Sequence, residues 1–259
     1  MTKALLERLR QGCHTMKYPD GPPPALPERF RGRPLIDSAR CPSGCRECEQ
    51  ACPTDAISKN GTLSVDVGKC LFCTECVDAC PHGSIRYSVD YRLSASKRGD
   101  LVVEEAKELQ LAGKLHAELL RLFGRSLKLR QVSAGGCNAC ESDVNVLGTI
   151  GWDLSRFGIQ FVASPRHADG ILVTGCVTKN MKLALEKTYA AVPPPKIVIA
   201  VGACAISGGP FHHSPQQLCG AQSVVPVDLF IPGCPPHPLT ILDGLLRLLG
   251  KIESGAQSN

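Results

Sequence analysis

The chain has 259 residues, a formal net charge of +5 and 43% hydrophobic residues, which indicates one or two globular domains and excludes a disordered chain. No apolar run approaches the roughly 18 residues of a membrane-spanning helix, and the first residues lack the apolar core of a signal peptide, so we expect a chain that is not secreted. Its 15 cysteines should then meet a reducing compartment, where clustered thiols are more often metal ligands than disulfides.

Residues 1–36 are predicted to be a Pro-rich N-terminal extension. Within it, residues 1–10 predict a short amphipathic helix with Leu5, Leu6 and Leu9 on one face. Residues 18–36 contain six prolines, which favour an extended segment lying on a surface, either of this chain or of a partner.

Residues 37–92 contain an internal repeat of cysteines, and each run ends in Cys-Pro. The first run consists of Cys41, Cys45, Cys48 and Cys52, and the second of Cys70, Cys73, Cys76 and Cys80. The last three cysteines of the first run recur at a shift of 28 residues. Between the runs, residues 61–66 predict a short strand after an Asn-Gly turn.

The second run has the spacing of bacterial two-cluster ferredoxins, in which the last cysteine of each run binds the other 4Fe–4S cluster. The first run departs from this spacing by one extra residue between Cys41 and Cys45, which lengthens a loop. The predicted ligands of cluster 1 are Cys41, Cys45, Cys48 and Cys80, and those of cluster 2 are Cys70, Cys73, Cys76 and Cys52.

A pair of zinc ribbons is the alternative for this region, because paired Cys-x-x-Cys motifs are common in such ribbons. Zinc needs only four ligands per site, however, and leaves the third cysteine at this spacing and the Cys-Pro pairs unexplained. Residues 37–92 therefore resemble a bacterial-type, two-cluster α+β ferredoxin domain.

Residues 93–126 are predicted to be a helical linker, with one helix over 101–123, because apolar residues recur there at roughly helical spacing. From residue 127 the pattern alternates strands and helices, which argues for a parallel sheet covered by helices over 127–251. The predicted strands are 127–133, 158–163, 170–175, 196–202 and 227–231. The predicted helices are 141–150, 180–191 and 237–250, and a polar tail follows at 252–259.

Five cysteines of this C-terminal region fall just after predicted strands: Cys137, Cys140, Cys176, Cys204 and Cys234. In open α/β sheets ligands bind beyond the carboxyl ends of the strands, so the loops should bring these thiols together. Four ligands complete a cluster, and strand order alone does not exclude Cys176.

Three motifs of this region resemble a known family. The segments 137–141, 202–209 and 231–236 read CNACE, GACAISGG and IPGCPP. They are similar to the small electron-transfer subunit shared by respiratory complex I and nickel–iron hydrogenases. The resemblance implies an α/β fold with a flavodoxin-like parallel sheet. It also implies a proximal 4Fe–4S cluster on Cys137, Cys140, Cys204 and Cys234, with Cys176 nearby but not bound.

The resemblance also indicates which branch of the family the chain is similar to. Complex I members carry two adjacent cysteines at the first ligand site, whereas Cys137 and Cys140 are separated here, as in the hydrogenases. Segments 125–130 and 164–169 resemble complex-I-like membrane-bound hydrogenases of the formate hydrogenlyase type, and Tyr18-Pro19 with residues 30–34 resembles the lead-in of their ferredoxin subunit. The chain thus looks like a fusion of two neighbouring subunits.

The resemblance implies three 4Fe–4S clusters that relay electrons to or from a metal centre in a large partner subunit, with nickel–iron as the expected centre. Membrane-arm subunits and an electron-donor or electron-acceptor subunit, or a ferredoxin, are the other expected partners, and nucleic-acid binding is not expected. The expected location is peripheral, on the cytoplasmic side of the cell membrane. The alternative function is a complex-I-type oxidoreductase subunit that passes electrons to quinone.

A few further residues have two interpretations. Glu141 either stabilises the start of a helix or, by the resemblance, relays protons towards the partner. His82, His212, His213 and His237 are expected to hydrogen-bond to sulfur or backbone rather than to bind a cluster. Cys13, Cys176 and Cys219 are expected to be plain thiols. No catalytic residue is predicted in this chain apart from the proton-relay role of Glu141.

Overall fold

The computed structural model describes residues 2–105 and 109–252. Its first part, which we call the cysteine-repeat part (residues 34–105), is built from short elements. Helix α1 (Thr2–Gln11) precedes this part, and helices α2 (Glu47–Gln50) and α3 (Glu75–Asp78) lie within it. The strands are β1 (Pro34–Ile36), β2 (Ile57–Asn60), β3 (Thr62–Asp66), β4 (Ile85–Tyr87) and β5 (Val102–Glu104).

The second part, which we call the sheet part (residues 127–252), follows helix α4 (Ala117–Phe123). Its strands are β6 (Leu127–Ser133), β7 (Ile159–Phe161), β8 (Gly170–Thr174), β9 (Ile197–Val201) and β10 (Leu229–Ile231). Its helices are α5 (Ala139–Val146), α6 (Lys179–Ala191), α7 (Ala203–Ser207) and α8 (Pro238–Leu248).

The five strands of the sheet part form one parallel sheet in the order β10-β9-β8-β6-β7. If the five strands are renumbered 1 to 5 in chain order and the sheet is read from its β7 edge, the order is 2-1-3-4-5. This is the flavodoxin-like arrangement. The predicted α/β fold is therefore confirmed. The central strands β8 and β9 are buried along their whole length, as their continuous apolar sequences require.

Helices cover both faces of this sheet. Helices α5 and α8 pack on one face in a core that includes Leu129, Val144 and Leu242. Helix α6 packs on the other face through Leu185, in a core that also includes Val173. Every residue of α8 is buried, which explains why its sequence is apolar almost throughout.

The predicted strands and helices of the sheet part all exist, with ends that differ by a few residues. The predicted strand 158–163, for example, is observed as Ile159–Phe161, and the predicted helix 141–150 is observed as Ala139–Val146. The C-terminal helix predicted over 237–250 is observed as α8. Of the predicted polar tail, residues 253–259 lie outside the described residues.

The helix predicted over 101–123 is wrong for most of its length. Among the described residues of this range, Ala117–Phe123 alone forms an α-helix, whereas Val102–Glu104 forms β5 and pairs with β3 in an antiparallel sheet. The pairing places Val103 opposite Val65 and buries both side chains. Tertiary pairing has therefore overridden a local helical pattern, and residues 106–108 lie outside the described residues.

The cysteine-repeat part shows its internal repeat in three dimensions. Helices α2 and α3 carry Cys48 and Cys76 at equivalent positions. Strands β2 and β3 form a hairpin in which Asn60 faces Thr62 across Gly61, as the Asn-Gly turn predicts, and β1 pairs with β4. The domain boundaries that we predicted from the sequence stay predictions.

Around Tyr18, the Pro-rich extension packs against the sheet part of the same chain. The Tyr18 hydroxyl donates a hydrogen bond of 3.0 Å to the buried carboxylate of Asp243 in α8, and Arg156 donates to the carbonyls of Met16 and Tyr18. Helix α1 forms as predicted, with Leu5, Leu6 and Leu9 between 63% and 74% exposed. Among the described residues, none of the helices combines the length and the apolar character needed to span a bilayer.

We expect Gly244→Ala to destabilise the protein, although alanine is the better helix former by about 1 kcal/mol. A Cβ at Gly244 in α8 would lie 2.9 Å from the Cβ of Ser94, which is buried, and closer still to its Oγ. Overpacking costs about 1–3 kcal/mol and the better helix propensity offsets about 1 kcal/mol of that, so the free energy of unfolding should fall by up to about 2 kcal/mol in denaturant titrations followed by circular dichroism.

The matched control is Gly99→Ala, because a Cβ at this exposed glycine meets nothing within 4 Å. Its stability should equal or exceed that of the unmodified chain. A Gly244→Ala protein that is as stable as the control would contradict the packing described here.

Candidate metal centres

The first group of thiols, which we call centre A, comprises the predicted ligands Cys41, Cys45, Cys48 and Cys80. Burial raises the pKa of the Cys48 thiol to about 11, and the neighbouring thiols of Cys80 and Cys41 add to the rise. Lys59 donates hydrogen bonds to the Cys41 sulfur (3.1 Å) and to the Cys45 carbonyl (3.2 Å), which ties these two loop residues together. The structure thus brings the end of the second cysteine run against the first run.

The second group, centre B, comprises Cys52, Cys70, Cys73 and Cys76. All four line one small cavity, whose walls also include Ile57 and Leu71. Burial raises the pKa of the Cys70 thiol to about 12. The cavity therefore offers four thiols in apolar surroundings, and its fourth thiol comes from the other cysteine run, as interleaved ligand sets require.

Hydrogen-bond donors point at the sulfurs of both centres. Backbone N–H groups donate to Cys52 from Ala56 (3.2 Å), to Cys70 from Phe72 (3.3 Å) and to Cys80 from Ser84 (3.4 Å). The Tyr87 hydroxyl lies 3.3 Å from the Cys70 sulfur and 3.7 Å from the Cys76 sulfur. Donors in these positions stabilise negative charge on sulfur, which suits thiolate ligands of a metal.

The third group, centre C, lies at the carboxyl ends of the parallel strands. Cys137 and Cys140 follow β6, Cys204 lies in α7 after β9, and Cys234 follows β10. Burial raises the pKa of Cys140 above its usual range, and the thiols of Cys204, Cys234 and Cys137 add to the rise. Loops from three strands therefore deliver four thiols to one place, as the strand-end rule predicts.

Two glycines allow the backbone to approach the sulfurs of centre C. Gly202 has φ +90°, and a Cβ there would lie 2.5 Å from the Cys140 sulfur. Gly209 has φ +54°, and a Cβ there would lie 2.8 Å from the Cys204 sulfur. Since only glycine combines these backbone angles with such close contacts, both positions are fixed by the geometry of the thiols.

Cys176 lies beside this group and remains a geometric alternative. It is buried, and its thiol lies 3.4 Å from the Gly135 carbonyl. Burial raises the pKa of the Cys204 thiol to about 12, and Cys176 adds to this rise. Its role as a nearby, unbound cysteine stays a prediction.

Glu141 follows Cys140 directly and is buried. One carboxylate oxygen accepts hydrogen bonds from the Ser133 hydroxyl (2.6 Å) and the Thr174 hydroxyl (2.7 Å). Burial raises the pKa of Glu141, but the hydrogen bonds from Ser133 and Thr174 outweigh it and hold the pKa below its usual value. The carboxylate is therefore a fixed, hydrogen-bonded group beside centre C.

The three centres form a series. The thiol of Cys76 in centre B acts on the pKa of Cys48 in centre A, and the thiol of Cys73 in centre B acts on the pKa of Cys234 in centre C. Each of these electrostatic effects is small beside burial, but each requires proximity. Centre B consequently lies close to both of the others.

Several contacting residues carried no signal in the sequence. Lys59 and Tyr87 reach the thiols from strands β2 and β4, so their positions depend on tertiary pairing rather than on a motif. His237, the residue before α8, accepts a hydrogen bond from the Leu239 amide, and His212 contacts the Gly209 carbonyl, so both make backbone contacts as predicted. His82 is exposed.

The thiol ligands of the three centres indicate the class of protein. Thiols are soft ligands that select zinc or iron–sulfur clusters, and sulfurs that receive several N–H bonds in apolar loops are typical of iron–sulfur sites. A family model for a 4Fe-4S dicluster domain matches residues 33–81, which contain all eight cysteines of the repeat. The chain is an iron–sulfur protein.

A second family model, described as the NADH ubiquinone oxidoreductase 20 Kd subunit, matches residues 137–248. The chain is 43% identical over 136 residues to a probable membrane-bound hydrogenase subunit of Pyrococcus furiosus, and the match covers 52% of this chain and 81% of that protein. The chain belongs to this oxidoreductase subunit family, with a 4Fe-4S dicluster domain in front, and the resemblance inferred from the motifs is confirmed.

Two further relatives represent both branches of the family. Formate hydrogenlyase subunit 7 of Escherichia coli is 43% identical over 139 residues, which is 54% of each chain. An NADH-quinone oxidoreductase subunit of Heliobacterium modesticaldum is 41% identical over 125 residues, or 48% of this chain and 71% of that one. The chain thus spans about half the length of the formate hydrogenlyase subunit.

We expect Lys59→Met to lower the midpoint potential of one cluster, on the order of tens of millivolts, because net charge and hydrogen bonds to sulfur set such potentials. The substitution removes a positive charge 3.1 Å from the Cys41 sulfur, and the reduced cluster carries more negative charge than the oxidised one. Redox titrations followed by electron paramagnetic resonance measure the shift.

Lys59→Arg keeps the charge and should move the potential less, and Lys128→Met, on β6, should leave all potentials unchanged. Unaltered potentials in Lys59→Met would show that this lysine does not act on a cluster.

Proposed function

We propose that the chain is the electron-transfer subunit of a complex-I-like membrane-bound hydrogenase and carries three 4Fe–4S clusters. The proposed ligands are those of centre A (Cys41, Cys45, Cys48 and Cys80), centre B (Cys52, Cys70, Cys73 and Cys76) and centre C (Cys137, Cys140, Cys204 and Cys234). When bound, such clusters accept and donate single electrons. The observation that carries this proposal is that eleven of these thiols lie in three groups, while Lys59 links the loop of the twelfth, Cys45, to Cys41.

The role of the chain is to hold, space and insulate the clusters. With four thiolates each, no cluster has an open position for a substrate, so electrons pass without bond formation. The order of the three centres supports a single path through the chain, with its ends at centre A and centre C. The apolar walls of centre B and the N–H donors to Cys52, Cys70 and Cys80 tune the thiolate charge.

The large partner is proposed to dock near centre C. Cys137 and Cys234 are exposed, and a cleft of about 290 Å³ beside Cys234 is lined by Asp143, His237 and the arginines at positions 29 and 31. A large subunit with a nickel–iron centre would cover these thiols and complete the path. We assign the proton-relay role to Glu141, whose carboxylate is fixed by Ser133 and Thr174 next to the same centre.

Relatives of this chain are subunits of membrane-bound hydrogenase and NADH-quinone oxidoreductase complexes, so other subunits and peripheral association with a membrane are expected. We propose membrane-arm subunits and an electron-donor or electron-acceptor subunit, or a ferredoxin, as the remaining partners. We place the chain on the cytoplasmic side of the membrane.

A complex-I-type quinone oxidoreductase is the second candidate, because the NADH-quinone oxidoreductase relatives are nearly as similar as the hydrogenase subunits. Metal analysis of the complex purified with its partners separates the two. Nickel together with iron supports the hydrogenase, whereas iron without nickel favours the quinone oxidoreductase. The spacing of Cys137 and Cys140 favours the former.

We expect anaerobically purified chain to contain about twelve iron and twelve sulfide ions, four of each per cluster. Cys234→Ala should abolish one of three cluster signals in electron paramagnetic resonance spectra and leave the two of the cysteine-repeat part. The signal that disappears identifies centre C.

Cys219→Ala is the matched control, since this exposed thiol belongs to none of the three centres, and all three signals should persist. Cys176→Ala should also keep three signals. If Cys176→Ala loses a signal while Cys234→Ala keeps all three, the ligand set of centre C is wrong.

A further inference from the structure

A cluster of two histidines and one carboxylate lies outside the three thiol centres, at the junction of the two parts of the chain. Asp55 follows Cys52 in the cysteine-repeat part, and His212 and His213 follow α7 in the sheet part. The Nε2 of His212 is 3.1 Å and the Nε2 of His213 is 3.7 Å from the same oxygen, Oδ2 of Asp55. One potential ligand atom from each residue thus lies within 4.8 Å of the others.

The hydrogen bonds of His212 orient its ring towards this point. Its Nδ1 lies 3.0 Å from the Gly209 carbonyl, which can only accept, so Nδ1 carries the proton. In a neutral ring Nε2 then presents a lone pair to the Asp55 carboxylate, which is also an acceptor. Two acceptors 3.1 Å apart require a proton or a cation between them.

The pattern around His212 is typical of metal ligands. A ligating histidine almost always donates its other ring N–H to a carbonyl or carboxylate, and this bond fixes both tautomer and orientation. The ring of His213 lies against that of His212, with centroids 3.7 Å apart and planes tilted by 42°, and its Nε2 lies 3.7 Å from the same oxygen. Ligand atoms about 2.0–2.2 Å from a tetrahedral ion are separated by about 3.3 Å, between the two observed distances.

We propose that Asp55, His212 and His213 bind one divalent transition-metal ion of the zinc type, with water in the remaining position. Imidazole and carboxylate are ligands that zinc accepts readily, and three protein ligands plus water complete a tetrahedral shell. His213 and Asp55 are largely exposed, so the ion can enter from solvent. The site would join the loop after Cys52 to the loop after α7 and so fasten the two parts together.

The test measures zinc uptake by the full chain with its clusters in place. Anaerobic protein carrying Cys13→Ser and Cys219→Ser, which removes two exposed thiols outside the centres, is dialysed against micromolar ZnCl2, and zinc and iron are counted by mass spectrometry. We expect one zinc ion per chain without loss of iron. The zinc absorption edge should show nitrogen and oxygen neighbours and no sulfur.

Asp55→Asn and His213→Gln, each in the same background, should weaken zinc binding by about tenfold or more, since an amide is a far poorer zinc ligand than a carboxylate or an imidazole. His116→Gln, at an exposed histidine elsewhere, is the matched control and should leave zinc binding unchanged. His213 is 80% exposed, so its substitution tests the site even if Asp55→Asn disturbs the neighbouring cluster loop. Unchanged iron content shows that the variants are folded.

Zinc should also raise the midpoint of thermal unfolding of the background protein and not that of Asp55→Asn. Equal uptake by the background protein and both variants, sulfur neighbours at the zinc edge, or no uptake would overturn the proposal. The group of Asp55, His212 and His213 would then hold no metal ion, and His212 and Asp55 would form an ion pair.

Discussion

The structure depends on one electrostatic constraint: thiols gathered four at a time in apolar surroundings. Burial raises the pKa of Cys48, Cys70 and Cys204, and neighbouring thiols add to the rise at Cys48 and Cys204, so none of these side chains carries its charge readily by itself. A metal cluster removes this penalty, because it replaces the protons with positive charge and needs the thiolate form. Folding of the loops and cluster binding are therefore linked.

The two parts of the chain meet this constraint in different ways. In the cysteine-repeat part, two short helices and the loops beside them carry the thiols, and backbone N–H groups at Ala56, Phe72 and Ser84 compensate their charge. In the sheet part, the parallel strands position the thiols, because the geometry of a parallel sheet makes all its carboxyl ends converge on one edge. The positive φ angles of Gly202 and Gly209 then permit the closest approaches to sulfur.

The sequence was most informative where local spacing determines the structure. Runs of cysteines ending in Cys-Pro predicted the dicluster domain, and the alternation of apolar strands and helices predicted the parallel sheet, because both signals are local. The helix expected over 101–123 is wrong because Val103 pairs with Val65, far away along the chain, and no local pattern records that partner. The contacts of Lys59 and Tyr87 with sulfur were missed for the same reason, since they follow from strand pairing.

The junction between the two parts explains how a single chain can fix the distance between centres B and C. Ala95 and Phe230 exchange two backbone hydrogen bonds of 3.0 and 2.9 Å, so the segment after the repeat adds to the edge of the sheet beside β10. The Ser207 hydroxyl donates to the Gly68 carbonyl at 3.1 Å, close to Cys70 in the chain. Both contacts join the parts that carry Cys73 and Cys234. These contacts within one chain therefore hold the cysteine-repeat part against the sheet part close to centres B and C.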